Sequence, residues 1–299
     1  KSYLTNRHQR VNINSTYSSW FEIIFGVPQG SIMGPLLFNI DLCDLFMFLI
    51  EIEPDLASYA DDNSPFSCEK DSVSVILELE NVANILLEWF TCNRFKANPD
   101  KFHLILSNPN KKLFMEIGHL KIYNENSQKL LGIRIDNKLS FDEHITDLCN
   151  KASQKLHALA RIASYMQEKQ RKQIMQAFIS AQFGYCPLVW MFHSKKLNHR
   201  INNIHERALR IVYNDYTSSF NQLLIKDNTV TVHMRNIQAL AIELYKVSKG
   251  LSPLIMADVF ILKESKRYPS QNIFESRNIH TTAYGLKSLA YLGPKIWNI

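Results

Sequence analysis

Two neighbouring carboxylates, Asp61 and Asp62, sit between short apolar runs in the stretch Ala57-Ser58-Tyr59-Ala60-Asp61-Asp62-Asn63-Ser64-Pro65-Phe66. The apolar flanks and polar centre suggest a hairpin with the pair at its tip. In a regular strand successive side chains point to opposite faces, so only a turn brings both carboxylates to one site. Two ionised carboxylates about 4 Å apart repel by about 4 kcal/mol at an effective dielectric of 20. A bound Mg²⁺ relieves that repulsion, since hard oxygen ligands suit it. Taken alone, a bare Asp-Asp pair is more commonly an ordinary solvated turn.

Other constellations are weaker still. Gly26-Val27-Pro28-Gln29-Gly30-Ser31-Ile32-Met33-Gly34-Pro35-Leu36-Leu37-Phe38 reads by itself as a turn leading into a helix. It lacks the G-K-[ST] ending of a phosphate-binding loop and is not G-x-G-x-x-G. Asp41 and Asp44 fall on the helix that follows. His193, His199 and His205 recur every six residues, which does not hold three ligands on one helix face. They are read as surface or partly buried histidines. The five cysteines, at 43, 68, 92, 149 and 186, show no C-x-x-C spacing, so neither a zinc site nor a disulfide framework is indicated. A reducing compartment is expected.

The elements that must position these groups change character near residue 140. Before it, strands are predicted at Phe21–Phe25, Leu56–Ala60, Phe66–Cys68, His103–Ser107, Leu113–Ile117, Leu120–Tyr123 and Leu130–Ile135. One long helix is predicted from Ser72 to Cys92, with Ser72 as its N-cap and Val75, Ile76, Leu79, Val82, Ala83, Leu86, Trp89 and Phe90 on one face. After residue 140 the pattern is almost purely helical. Its stripes run from Ile145 to Ala163, Ile174 to Ile179, Leu197 to Val212 and Ile237 to Val247, the last stopped by Gly250.

Charge is partitioned in the same way. Residues 41–100 carry thirteen Asp/Glu against three Lys/Arg, a net −10, whereas residues 161–250 carry thirteen Lys/Arg against five Asp/Glu, a net +8. An acidic part beside a basic helical part suits a protein that concentrates cations at one place and grips a phosphate backbone at another, although solvated helix faces give the same pattern. The 46% hydrophobic content and net charge of +6 over 299 residues exclude a disordered chain. Nine Gly and ten Pro exclude collagen-like or low-complexity architecture. No uncharged apolar run approaches the ~18 residues of a membrane span, so no membrane partner is expected.

It is the order of motifs that makes the chain recognisable. Gly26 to Phe38 resembles motif B of reverse transcriptases from non-LTR, LINE- and jockey-like retrotransposons, and Tyr59-Ala60-Asp61-Asp62 resembles the metal-binding motif C. Asn98-Pro99-Asp100-Lys101 resembles motif D, and Lys129-Leu130-Leu131-Gly132-Ile133-Arg134-Ile135-Asp136 resembles motif E, the primer grip. Leu139 to Ile145 looks like the lead into a thumb. Tyr185-Cys186-Pro187-Leu188-Val189-Trp190, His205-Glu206-Arg207-Ala208-Leu209-Arg210 and Tyr291 to Asn298 resemble the helical region and C-terminal stretch of the same elements.

The resemblance implies an α+β fold: a partial right-hand polymerase palm (antiparallel sheet with packed helices) over 1–138, a helical thumb over 139–215 and a C-terminal helical connection over 216–299. It implies nucleotidyl transfer from dNTPs to a DNA primer on an RNA template with two Mg²⁺ (or Mn²⁺) ions. Asp61 would be the direct metal ligand and Asp62 a weaker one. Lys101 would reach the triphosphate or protonate pyrophosphate, where a surface lysine is the plainer alternative. Pro28, Gln29, Gly30 and Tyr59 would lie near template and nucleotide, with Gly30 allowing close backbone approach. Leu131 and Gly132 would press on the primer backbone while Leu130 and Ile133 pack their hairpin. Lys151, Lys155 and Arg161 would follow duplex phosphates.

The resemblance also shows what is lacking. A palm needs a motif A aspartate, yet the first 40 residues hold one acidic residue, Glu22. Finger, palm and endonuclease parts of the same polyprotein are therefore expected upstream, both ends are expected to be cuts through a longer polypeptide, and the 299 residues alone are expected to be inactive. The competing expectation is a degenerate or repurposed nucleic-acid-binding remnant. The expected location is intracellular, in nucleus and cytoplasm, as an element ribonucleoprotein.

Overall fold

The computed structural model describes residues 3–50, 54–107, 112–264, 272–279, 281 and 285–298. Its architecture is mixed: helices dominate the second half, and every strand of the described residues belongs to a two-stranded antiparallel ladder. The chain divides into two compact units, residues 1–104 with 109–124, and residues 105–108 with 125–299.

The first unit begins with β1 (Arg7–Gln9), β2 (Asn12–Ile13), β3 (Thr16–Tyr17) and β4 (Phe21–Ile23), which form two nested pairs, β1 with β4 and β2 with β3. Helix α1 (Gly34–Phe48) starts with Pro35, whose fixed φ suits a first turn and whose missing N–H is no loss there. It is apolar on all sides but buries only part of itself. Leu45, and Leu49 just beyond the helix, pack with Val82, Leu86 and Trp89, while Leu36, Ile40, Phe46 and Met47 remain exposed.

A hairpin of β5 (Leu56–Tyr59) and β6 (Asp62–Pro65) follows, then α2 (Ser72–Cys92), matching the predicted span. The helix is capped by Asp71 rather than Ser72. Asp71 is extended, at φ −140° and ψ 155°, and its carboxylate accepts from the backbone N–H groups of Val73 (2.9 Å) and Ser74 (3.0 Å). The Ser74 backbone bond leads in holding this carboxyl below its ordinary pKa. An anion is favoured at this end of a helix. The helix also packs on the hairpin of β7 (Phe114–Ile117) and β8 (Leu120–Tyr123), where Met115 and Ile117 are buried and the N–H groups of Glu116 and Gly118 donate to the side chains of Glu80 and Asn84 in mid-helix.

Two predicted strands are corrected. Phe66–Cys68 lies outside any ladder, because the short turn of the preceding hairpin sets its register and Pro65 ends the pairing opposite Leu56. His103–Ser107 reduces to a single bridge from Leu104 to Asn124; Leu104 is buried, so its apolar signal belongs to core packing and not to a ladder.

The second unit opens with β9 (Ser127–Leu130) and β10 (Ile133–Asp136), so the predicted strand Leu130–Ile135 is broken by a turn at Leu131-Gly132. Asp136 then organises the lead into α3 (Asp142–Ile162). One carboxylate oxygen accepts from the N–H of Lys138 (3.0 Å) and Ser140 (3.1 Å), the other from the Phe141 N–H (2.7 Å) and the Ser140 hydroxyl (3.2 Å). These bonds carry the chain through Leu139 and Phe141, both at positive φ (50° and 58°).

The helices α4 (Glu168–Ile174), α5 (Pro187–Trp190), α6 (Lys195–Tyr213), α7 (Phe220–Asp227) and α8 (Val232–Ser248) continue the unit. Ile145, Cys149, Leu156, Leu159, Trp190, Ile201, Ala208, Leu209 and Leu223 share one core. A second core joins Met191, Leu240, Leu244, Phe260 and Phe274. It collects α9 (Leu254–Val259), the pair β11 (Leu262–Glu264) with β12 (Asn272–Phe274), and α10 (Leu289–Trp297). Gly293 is required by closeness: a Cβ there would come within 2.5 Å of the Phe260 ring. Of the three evenly spaced histidines, His205 is buried with its pKa pushed down to about 4 by loss of solvent, and it packs edge-on to Phe220. His193 is half-buried, also lowered by burial, and His199 is exposed.

Candidate active site

The carboxylate pair does sit at a hairpin tip. Tyr59 pairs with Asp62, leaving Ala60 and Asp61 as a two-residue turn with Ala60 at φ 52°. Asp61 is therefore in the turn itself, whereas Asp62 is the first residue of the returning strand. Both are exposed, and Tyr59 beside them is 67% exposed. The hairpin is braced just behind the tip by Ser58, whose hydroxyl donates to Asn63 Oδ1 at 2.7 Å. Two oxygen-donor side chains project from a fixed turn, and they fit part of the coordination shell of a hard divalent cation. No group of three or more His, Cys, Asp or Glu side chains able to hold a metal occurs among the described residues.

The loop before α1 is tied by Ser31. Its hydroxyl donates to the Pro28 carbonyl (2.7 Å) and accepts from the Gly34 N–H (3.1 Å), and the Tyr3 hydroxyl donates to it. Gln29 and Gly30 stand exposed at the bend. Gly30 has φ 79° with nothing within 4 Å of a would-be Cβ, so within this chain the turn geometry requires glycine and crowding does not. Lys101 ends a short 3-10 turn, Pro99–Lys101, whose start is fixed by Asn98 accepting from the Asp100 N–H at 3.1 Å; the lysine is exposed. Pro28, Gln29, Gly30, Tyr59, Asp61, Asp62 and Lys101 all belong to the first unit. No hydrogen bond or ion pair directly joins the loop, the hairpin tip and Lys101 among the described residues.

The remaining predicted residues belong to the second unit. Leu131 (φ 45°) and Gly132 (φ 88°) form the two-residue turn between β9 and β10, with both φ positive as a type I′ turn requires. Ile133 is buried as expected, and Leu130, directly opposite it in the antiparallel pair and so on the same face, remains 38% exposed. Lys151 and Lys155 lie one turn apart on α3, Lys155 half-buried with its ammonium 5.9 Å from the Phe178 ring. Arg161 is exposed, but its position in the helical repeat places it away from that face.

An open cavity of about 480 Å³ is lined by Arg134, Asp142, Glu143, Thr146 and Asp147, none of them a predicted site residue. Two of its three carboxylates are engaged already, Asp147 with Arg134 at 3.4 Å and Glu143 with the Ser127 hydroxyl at 2.7 Å. It is an ion-pair cluster and not a second centre. Two residues with clear structural work escaped the sequence reading. Asp136 shows itself in the pattern D-x-x-x-S, an acceptor placed before a helix. Tyr185 stands in a motif that was noted as a whole without a role for its first residue.

Residues 1–135 match the family of reverse transcriptases (RNA-dependent DNA polymerases). The chain is 27% identical over 227 residues to the probable RNA-directed DNA polymerase from transposon BS of Drosophila melanogaster, covering 71% of this chain and 25% of that protein. It is 26% identical over 225 residues to the corresponding X-element protein, covering 71% and 24%. With the RNA-directed DNA polymerase of the mobile element jockey it shares 28% over 155 residues, covering 50% and 17%. The match thus spans about a quarter or less of the length of these relatives, and no solved structure matches the chain. With the motifs in order and an Asp at the turn of a hairpin, residues 1–135 match the reverse transcriptase family, and the chain is similar to the RNA-directed DNA polymerases of Drosophila mobile elements such as jockey.

Proposed function

We propose that the chain supplies the second half of a polymerase palm, with a helical thumb and connection, for DNA synthesis on an RNA template. The observation that carries this reading is Asp61 in the two-residue turn of an exposed hairpin, preceded in sequence by a Gln29-Gly30 bend and followed by Lys101. The functional parts are 1–138, 139–215 and 216–299. The reaction joins the primer 3′-hydroxyl oxygen to the α-phosphorus of a dNTP, breaks the bond to the β-phosphate, and releases pyrophosphate and a proton. Asp61, assisted by Asp62, would hold a divalent cation, Mg²⁺ or Mn²⁺. When bound, such an ion lowers the pKa of the attacking hydroxyl and neutralises charge on the departing pyrophosphate.

The chain's own residues do the rest. Asp61 and Asp62 present acceptor-only oxygens from a turn whose position Ser58 and Asn63 hold. Gln29 offers an amide to the base pair or sugar, and the Gly30 bend keeps backbone there without a side chain. Tyr59 gives an exposed ring beside the carboxylates. Lys101 stands where its ammonium can neutralise or protonate the leaving group. Leu131-Gly132 bears on the primer backbone, and Lys151, Lys155 and Arg161 contact duplex phosphate.

The test is primer extension. With Mg²⁺, dNTPs and a primed RNA template, the 299 residues alone give no product above an Asp61→Ala control, since only two of the three carboxylates of a palm are in this sequence. A longer polypeptide from the same reading frame that includes a motif A aspartate extends the primer, and Asp61→Ala lowers its rate by at least about 100-fold. Extension by that longer enzyme that survives Asp61→Ala overturns the assignment.

A further inference from the structure

The motif Tyr185 to Trp190 is left without a task by the site described above, yet its first residue reaches the turn assigned to the primer. The Tyr185 hydroxyl donates to the Leu131 carbonyl at 2.8 Å, and its ring edge lies 3.5 Å from where a Cβ on Gly132 would stand. The other end of Tyr185 is fixed in the core of the same unit. The indole N–H of Trp190, which is 0% exposed, donates to the Tyr185 carbonyl at 3.0 Å. Trp190 packs among Ile145, Cys149, Leu156 and Leu209, side chains of α3 and α6. An unbroken line of contacts therefore runs from the helical core through Trp190 and Tyr185 to the carbonyl of Leu131.

That carbonyl is worth holding. Leu131 has φ 45°, a left-handed conformation that a branched, bulky side chain pays for, and its side chain is 42% exposed. A two-residue turn with no sheet beyond its own two strands would otherwise flex. The Tyr185 hydroxyl satisfies an acceptor that the ladder leaves free, and its ring lies over Gly132, at ordinary contact distance from where a Cβ would stand.

We propose that Tyr185 is a positioning residue: it couples the helical core to the Leu131-Gly132 tip, so that the thumb fixes the height at which the tip meets the 3′ end of the primer. The inference rests on the reading that this tip contacts primer, and goes beyond it by naming what holds the tip in place.

The experiment compares binding of two fluorescently labelled probes by the 299-residue chain at low salt, an RNA–DNA duplex with a recessed DNA 3′ end and a blunt duplex of the same length. Tyr185→Phe removes only the hydroxyl, and Leu131→Asn removes the apolar tip while keeping a residue suited to positive φ. The wild-type chain prefers the recessed end. In Tyr185→Phe that preference falls about fivefold, the equivalent of one neutral hydrogen bond. Blunt-duplex affinity and the thermal midpoint stay unchanged, and amide exchange at Gly132 and Ile133 quickens. A merely structural tyrosine would move the thermal midpoint and both probes together, which would overturn the proposal. A loss of preference in Leu131→Asn with none in Tyr185→Phe also overturns it while leaving the tip reading intact. No preference in the wild type, or no loss in Leu131→Asn, sinks the tip reading and the inference with it.

Discussion

At the scale of single residues, the chain keeps some side chains where local stability alone would choose others. The turn Leu131-Gly132 has both φ values positive, and the pair that best suits such a turn is Asn-Gly. Leucine there costs strain and gains little burial. Leu131→Asn should therefore raise the stability of the second unit by about 0.5–1 kcal/mol, read as a higher urea midpoint with an unchanged slope. A lower midpoint would mean that the leucine side chain is held by packing, and the case for a functional tip would weaken. Asp61 and Asp62 were legible because a D-D pair between strand-like runs has a single economical solution, a tight hairpin. The difference between them was not, since which residue occupies the turn depends on register, and register is set by the pairing of Tyr59 with Asp62 and not by composition.

At the scale of elements, long amphipathic segments announced themselves and short ones did not. Ser72–Cys92 was bounded to the residue, because its stripe runs through six turns and the polar residues before it end it cleanly. The N-cap was misplaced by one position, as Ser72 and Asp71 are both good caps and the choice turns on backbone dihedrals. Strands three or four residues long carry too little alternation to be placed by periodicity, and one apolar run, Leu130–Ile135, conceals a turn. The junction at Asp136 shows what such details accomplish. Burial pushes this carboxyl up, but bonds from the N–H groups of Ser140, Phe141 and Lys138 and from the Ser140 hydroxyl outweigh it, so its pKa lies below the ordinary 3.8. The folded state therefore prefers the carboxylate more strongly than the unfolded chain does. That stabilisation is complete above about pH 4, the unfolded value, and is lost as pH falls through the lower folded value. Asp136→Ala should cost about 2 kcal/mol at pH 7 and loosen the start of α3, and the difference from wild type should shrink below pH 4. A difference independent of pH would show that the side chain acts by shape alone.

At the scale of the whole molecule, net charge overstates what is available to a phosphate backbone. Within the basic stretch 161–250, Lys172 is held by Asp227 at 2.7 Å, Arg210 by Glu206 at 2.6 Å, Lys226 by Asp215 at 3.6 Å and Lys246 by Glu243 at 3.6 Å. Arg171 donates to the carbonyls of Val212 and Ala163, and burial of Arg235 lowers its pKa. The cations left exposed and without an ion pair among the described residues include Lys169, Lys195, Lys196 and Arg207, together with Lys151 and Arg161 on α3. If about four of these meet phosphate, log affinity for duplex should fall with log salt at a slope of roughly −3 to −4, well short of what every cation of the stretch would give. Single substitutions separate the two classes. Lys151→Ala should lower the slope by about 1 with little effect on folding. Lys172→Ala should leave the slope unchanged and destabilise the fold by roughly 3 kcal/mol, since Asp227 is buried and loses its closest cation while keeping the Tyr213 hydroxyl at 2.6 Å. A slope near zero, or one that Lys172→Ala reduces as much as Lys151→Ala does, would show that the positive charge of this unit serves its own acidic side chains and not a nucleic acid.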